Sequence, residues 1–347
     1  MKIGVIVNGA YYPHKDMVAT MEEQYLMVRA ARDGGWSTVI SGMHYLLDGS
    51  QTMQQVPLLA RLHAEAGEMA LGLGIFLLNL HNPVYVAETV ATMDIITRGN
   101  LIFGIGLGYR ETELDAFQIR KGQRVKRFEE VLTVVKQLLS GEEVTFDSDY
   151  CRLDGVRMNL RPVQRPHPPI WMAANGDKAV ARAARLADTW YVNPHATLQT
   201  NRRHMALFHE ALKKEGRPLP REVPCRREIF CAKTRQTAME MAAPFLAQKY
   251  EAYTLWGQDK VMPEDEKLDQ PFEALQQDRF IIGSPEDCYE QLRPYWEELG
   301  VNHLIFRTHF VGMPVSDALH SMRLISDELM PELRKAKSRP LETIAAA

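Results

Sequence analysis

Short apolar runs alternate along this chain with amphipathic segments of helical period, and that rhythm constrains the fold more than any other feature. Residues 2–8 read as a first strand. Asp16 then caps a helix that carries Val18, Met21, Tyr25 and Val28 on one face, and Gly34-Gly35 ends it. A second strand at 36–41 leads to a helix from about 52 to 66. Residues 69–78 are so continuously apolar that they suit a parallel strand covered on both faces. Asn82 is a good cap for the next helix, and Pro83 suits its first position. The strand from Leu101 carries glycines at alternate positions, and 124–139 is an amphipathic helix stopped by Gly141. An excursion over 144–160 and a proline-rich passage, 162–169, interrupt the pattern. It resumes with strands at 170–174, 189–192, 226–232 and 302–307, and with helices at 177–186, 198–215, 235–255, 284–299 and 315–330.

About eight strands, each followed by a helix, is the count of an α/β (β/α)8 TIM barrel. A doubly wound open sheet is the main competitor. It would carry a Gly-x-Gly-x-x-Gly turn after the first strand, where this chain has Asn8-Gly9-Ala10-Tyr11-Tyr12-Pro13. The reading is one barrel over 1–335 with insertions at about 141–168 and 256–280 and a tail at 336–347. With 347 residues, 46% of them hydrophobic, the chain has ample apolar surface for a core of that size.

A net charge of -3 and scattered basic residues argue against a nucleic-acid partner. No run approaches the roughly 20 apolar residues of a membrane span. The amino terminus reads as a strand rather than a leader, so a cytoplasmic location is expected. Cys151, Cys225, Cys231 and Cys288 match no zinc or redox spacing, and the histidines form no metal-binding grouping. Reduced thiols and no metal are expected.

Three features point to chemistry. The glycines of Gly104-Ile105-Gly106-Leu107-Gly108-Tyr109 leave a strand end cleared either for a flat cofactor or for a tight turn. Ala174-Asn175-Gly176 joins a strand to a helix, where open amides and the helix dipole suit a phosphate. Asp177 would repel that phosphate if it pointed inward, so it is expected to cap the helix. His44 follows the second strand and is either a general acid/base or a structural histidine.

These pieces occur together with Gly35-Trp36-Ser37-Thr38-Val39, with residues 71–83 ending in Leu80-His81-Asn82-Pro83, and with Arg127-Phe128-Glu129-Glu130. Residues 168–176, 282–287 and 300–305 follow, with Met330-Pro331 last. In this order and spacing the chain resembles the luciferase-like flavin monooxygenases over nearly its whole length. The resemblance implies a barrel binding reduced FMN, or in some branches a deazaflavin, at the carboxyl ends of its strands. It also implies O2 and a small organic molecule as substrates, a separate flavin reductase and a homodimer.

By the same resemblance Gly74-Ile75 is a non-prolyl cis bulge supporting the flavin ring, and Ala174, Asn175 and Gly176 hold its phosphate. Leu107 stands where some relatives place a phosphate-binding arginine, so Arg110 or Tyr109 is expected to substitute. Gly106 replaces luciferase's reactive cysteine, so light emission is not implied. Trp190 either walls the pocket or belongs to the core. Residues 256–279 are either a mobile lid or a solvated acidic loop. His44 is the one catalytic side chain named, although Gly42-Met43-His44 departs from the family's acidic residue and paired histidines. Three functions stay open: an FMN-dependent monooxygenase, a deazaflavin-dependent oxidoreductase, and a flavin carrier without turnover.

Overall fold

Nine parallel strands form one sheet in the computed structural model, which describes residues 1–264 and 266–345. Asp265, inside the expected insertion, and Ala346 and Ala347, at the end of the expected tail, lie outside the described residues. The strands of the large sheet are β1 (Lys2–Val7), β2 (Thr38–Ser41), β3 (Ala70–Leu77) and β4 (Leu101–Gly106), then, past a separate hairpin, β7 (Ile170–Ala173), β8 (Thr189–Tyr191), β9 (Pro224–Cys231), β10 (Phe280–Gly283) and β11 (His303–Arg307). The excursion after Gly141 is that hairpin, β5 (Glu143–Ser148) paired antiparallel with β6 (Cys151–Arg157).

The pairing order is β10-β9-β11-β1-β2-β3-β4-β7-β8. The sheet curls until the β8 edge reaches β9, the strand next to the other edge: Val192, just after β8, forms a parallel bridge to Cys225 of β9, and its N–H donates to the Pro224 carbonyl at 2.9 Å. Sequence periodicity anticipates eight of the nine strands. β10 is the addition, pairing with the carboxyl half of β9 from Phe280–Glu228 to Gly283–Cys231. Four residues between an irregular segment and the Ser284–Asp287 capping box are too few to show a period.

Alternation along the strands explains how the barrel fills. Residues such as Ile3, Val5 and Val7 face the surrounding helices, while Ile6, Ile40, Ile102, Trp171, Tyr191 and Ile305 form a separate inner cluster. Bulky Trp171 and Tyr191 enter from β7 and β8, and glycines compensate on β1, β3 and β4. A Cβ at Gly4 would meet Ile305 and Thr38, and one at Gly72 would meet Ile40.

Helix starts follow local chemistry. Asp16 accepts from Val18 N at 2.8 Å and Asn82 from Val84 N at 2.9 Å, each satisfying an amide that lacks an intrahelical partner. Past residue 335, Leu341–Ala345 is a short helix, and buried Leu341 lies where a Cβ on Gly300 would fall. All four cysteines are buried and unpaired. Among the described residues no helix is long and apolar enough to cross a membrane.

Candidate active site

A cavity of about 1300 Å³ opens at the carboxyl ends of the strands, bringing together residues far apart in the chain, among them His44, Gly74, Gly106, Gly176, Arg226 and Arg307. Its base is the inner cluster, and β3 interrupts it. The β3–β4 register slips between Leu73 and Phe76, and the Gly74–Ile75 peptide is cis. The β4 glycines make room for this bulge. A Cβ on Gly104 would land on the Leu73 carbonyl, and one on Gly106 on the Ile75 side chain. The cleared strand end, read from the sequence as room either for a cofactor or for a tight turn, is taken in part by the neighbouring strand, and the bulge in turn faces the cavity.

His44 lines the same cavity from the loop after β2. Its Nδ1 lies 2.9 Å from Glu113 Oε1, and its side chain keeps 29% exposure, so the ring is held on one edge and reachable on the other. Glu113 comes from the helix Glu111–Ala116, which the sequence reading did not anticipate. The same oxygen accepts from Tyr45 N at 2.9 Å and Arg110 Nη1 at 3.3 Å. Burial would raise the Glu113 carboxyl, but the bonds from His44 and Tyr45 and the Arg110 charge outweigh it and hold it below its usual range. An ionised carboxylate on Nδ1 fixes the tautomer that leaves Nε2 as the basic nitrogen. Tyr109 lies edge-on to His44 with ring centroids 6.0 Å apart, and burial pushes its hydroxyl far up, keeping it protonated.

Arg110 lines the cavity, as its expected role requires, and Trp190, left between pocket wall and core, packs away from it. Arg110 is buried with Nη1 donating to the Tyr45 carbonyl at 2.6 Å and Nη2 to the Leu46 carbonyl at 3.0 Å. These two donors brace the His44 loop. Trp190 is 1% exposed, donates Nε1 to the Ala174 carbonyl at 3.2 Å and packs on His204 and Phe208. The two-residue strand period turns it toward the helices, and its neighbour Tyr191 turns inward to line the cavity.

Ala174, Asn175 and Gly176 line the cavity where the helix Asp177–Leu186 begins. Gly176 is the N-cap, and no side chain caps this helix. Asp177 is its first residue instead, and it turns away to Arg203 Nη1 at 2.6 Å and His204 Nε2 at 3.1 Å. Asp177 also lines the cavity, but its carboxylate is engaged by these two residues, which do not line it, and it does not cap the helix. Lys178, Arg182 and Arg124 also line this end of the cavity. Open amides with cations around them fit a phosphate.

Across the barrel mouth stands a charged wall the sequence reading missed. Arg226 and Glu228 share the inward face of β9, and Arg307 ends the inward face of β11. Glu228 is fully buried, pairs with Lys249 Nζ from the helix Arg235–Leu255, and lies 3.3 Å from Arg226 Nη2. Charges inside an otherwise apolar strand were the available signal, since ionised residues are rarely buried there without a partner or a task.

His195, just past β8, sits below this wall with Nδ1 3.3 Å from the Tyr250 hydroxyl, and burial lowers its pKa to about 3. The folded state therefore keeps His195 neutral in mild acid, while the unfolded chain protonates it near the ordinary value of 6.5. The unfolded state then binds more protons, so stability present above that value should fall as the pH drops toward 3. Thermal melts between pH 7 and pH 4 should show a falling midpoint, and His195→Gln should flatten part of the slope.

The model of the family described as "Luciferase-like monooxygenase" matches residues 1–303. The chain belongs to that family. Among curated relatives of this luciferase-like chain, the F420-dependent glucose-6-phosphate dehydrogenase of Microbacterium testaceum is 24% identical over 318 residues, covering 88% of this chain and 91% of the relative. Monooxygenase RslO1 from Streptomyces bottropensis superposes with a TM-score of 0.84 at 22% identity, over 96% of this chain and 100% of that one. The oxygenating constituent of 3,6-diketocamphane monooxygenase from Pseudomonas putida, in complex with FMN, gives 0.77 at 17% identity, over 96% and 98%. These likenesses establish the luciferase-like fold.

The insertion after Leu255 in this family member is tied down. Trp256 lies 6.2 Å from the His44 ring, with the Arg110 guanidinium 5.6 Å from its own ring. Beyond it, Glu266 pairs with Arg279 and accepts from Thr197 N at 2.8 Å, while Arg279 Nε donates to the His195 carbonyl at 2.8 Å. Leu268 and Leu275 are buried within the same segment. It contributes Trp256, Gln258, Lys260 and Val261 to the cavity.

Proposed function

We propose that this protein is a two-component monooxygenase that takes reduced FMN from a separate flavin reductase and uses O2 to oxidise a small organic substrate. The observation that carries the reading is one cavity holding both the Gly74–Ile75 bulge and the uncapped helix start at Gly176. A planar ring system and its phosphate need such a pair of seats. Ile75 and Gly106 would lie against the ring, and Ala174, Asn175 and Gly176 would hold the phosphate. Reduced FMN with O2 supplies a two-electron oxidant that puts one oxygen atom into the substrate and releases the other as water.

The chain's own residues bind, orient and exclude water. His44, held by Glu113, would move a proton at Nε2 beside the reacting atoms. Trp256 and the following residues would close the mouth as a lid, limiting water where the oxidant forms. Likeness to a monooxygenase in complex with FMN supports the choice of cofactor. A homodimer is part of the proposal, supported by Tyr85, Ile95 and Ile96, exposed on the helix Pro83–Ile96.

A specific observation favours a second reading, hydride transfer with a deazaflavin: the F420-dependent relative matches over 88% of this chain. Anaerobic titration with reduced FMN and with reduced F420, followed by mixing with air, separates the two. We expect FMN to bind at least tenfold more tightly, and bound flavin to reoxidise on a time course distinct from free flavin. Tight binding of F420 with none of FMN would replace the first reading by the second. Bound FMN that reoxidises as free flavin does would indicate a carrier.

A further inference from the structure

We propose that Arg226, Arg307 and Lys249 form a receptor for an anionic oxygen on the substrate, and that a carboxylate or an ionised phenol or enol is therefore the class this enzyme accepts. This deepens the function proposed above and rests on it for the word substrate; the binding site itself does not depend on the flavin.

The argument is one of charge and place. Three cations meet at the cavity wall with one carboxylate, Glu228, among them. That carboxylate is already committed: it pairs with Lys249 and lies 3.3 Å from Arg226. Arg307 makes no ion pair among the described residues, and its one hydrogen bond is a long one of 3.4 Å from Nη2 to the Asn8 carbonyl. The Nε atoms of both Arg226 and Arg307 are buried without a partner. Buried cationic donors left unmatched are costly unless another group completes them. Gly9 keeps the approach clear, since a Cβ there would come within 3.3 Å of Arg307 Nη1.

The surplus charge already acts on the chain itself. Burial would raise the Tyr253 hydroxyl, yet Lys249, Arg226 and Arg307 together bring it below its ordinary value. The flavin phosphate does not explain the cluster, because its proposed seat is the helix start after β7. Arg226 and Arg307 lie on β9 and β11, across the barrel from the β3 bulge. The wall thus faces the space in front of the ring position. Tyr191 and Tyr253 beside it suit a planar body attached to the anionic group.

Calorimetric titration of the full-length protein with benzoate, and with neutral benzamide of the same shape, tests the proposal with or without FMN. Benzoate should bind at least tenfold more tightly than benzamide. Arg307→Gln should remove most of that preference while benzamide and FMN affinities change less than twofold. Arg307 is the residue to change because no carboxylate depends on it, and Arg307→Lys, which keeps the charge, should retain most of the preference. Equal binding of the two probes, or a preference undiminished in a folded Arg307→Gln, overturns the receptor. Failure to bind any flavin would sink the monooxygenase and leave the benzoate result standing.

Discussion

His44→Gln is expected to lower turnover by roughly 10²–10⁴-fold, the range typical of a positioned acid/base group, while FMN affinity stays within about threefold. The ring touches the cavity on one side and Glu113 on the other, so the substitution removes a proton acceptor without opening the core. Glu113 is a positioning residue, and its replacement should read differently. In Glu113→Gln the imidazole loses the carboxylate that holds its Nδ1, and with it the tautomer. Turnover should therefore fall while FMN affinity stays unchanged, and Glu113→Asp, which keeps the carboxylate, should recover part of it. A merely structural side chain would show no such rescue by aspartate. Stopped-flow turnover for all three variants checks the set.

Gly104→Ala should cost roughly 3 kcal/mol of folding stability, the upper end of what overpacking a closed core exacts. The added carbon would meet the Leu73 carbonyl and the Gly74 backbone, and neither can rotate away as a side chain would. The two strands would have to part where β3 already leaves register. Gly176→Ala is the control: its Cβ would meet nothing within 4 Å, and alanine at an N-cap costs less than about 1 kcal/mol. Urea unfolding of the two variants side by side measures the difference.

What could be read from the sequence, and what could not, follows from the range of each signal. Asp16 and Asn82 announce their helices because a cap and its amide are two residues apart. The barrel strands announce themselves through unbroken burial, as in β4. The bulge at Gly74 and the helix start at Gly176 were both located, though the glycines of β4 turned out to accommodate a neighbouring strand. Glu113 was out of reach because its contact with His44 spans 69 positions and its six-residue helix shows no period. Trp190 could not be assigned to pocket or core because in a three-residue strand parity alone separates the two. Arg226, Glu228 and Arg307 were visible as charges in apolar strands, but Lys249, which completes them, arrives from the helix Arg235–Leu255.

The anchoring of Glu266 sets a limit on how the mouth can move. Glu266 is fastened both to Arg279 and to Thr197, and Arg279 is fastened to the segment after β8, so that half of the insertion belongs mechanically to the barrel wall. Swinging it outward would break the bonds from Thr197 to Glu266 and from Arg279 to the His195 carbonyl. The proposed lid motion would then fall to the short stretch from Trp256 to Met262, whose indole rests against His44 and Arg110. The gate and the proton-handling group would then be in touch, and the entrance would register the state of the very side chain it shields.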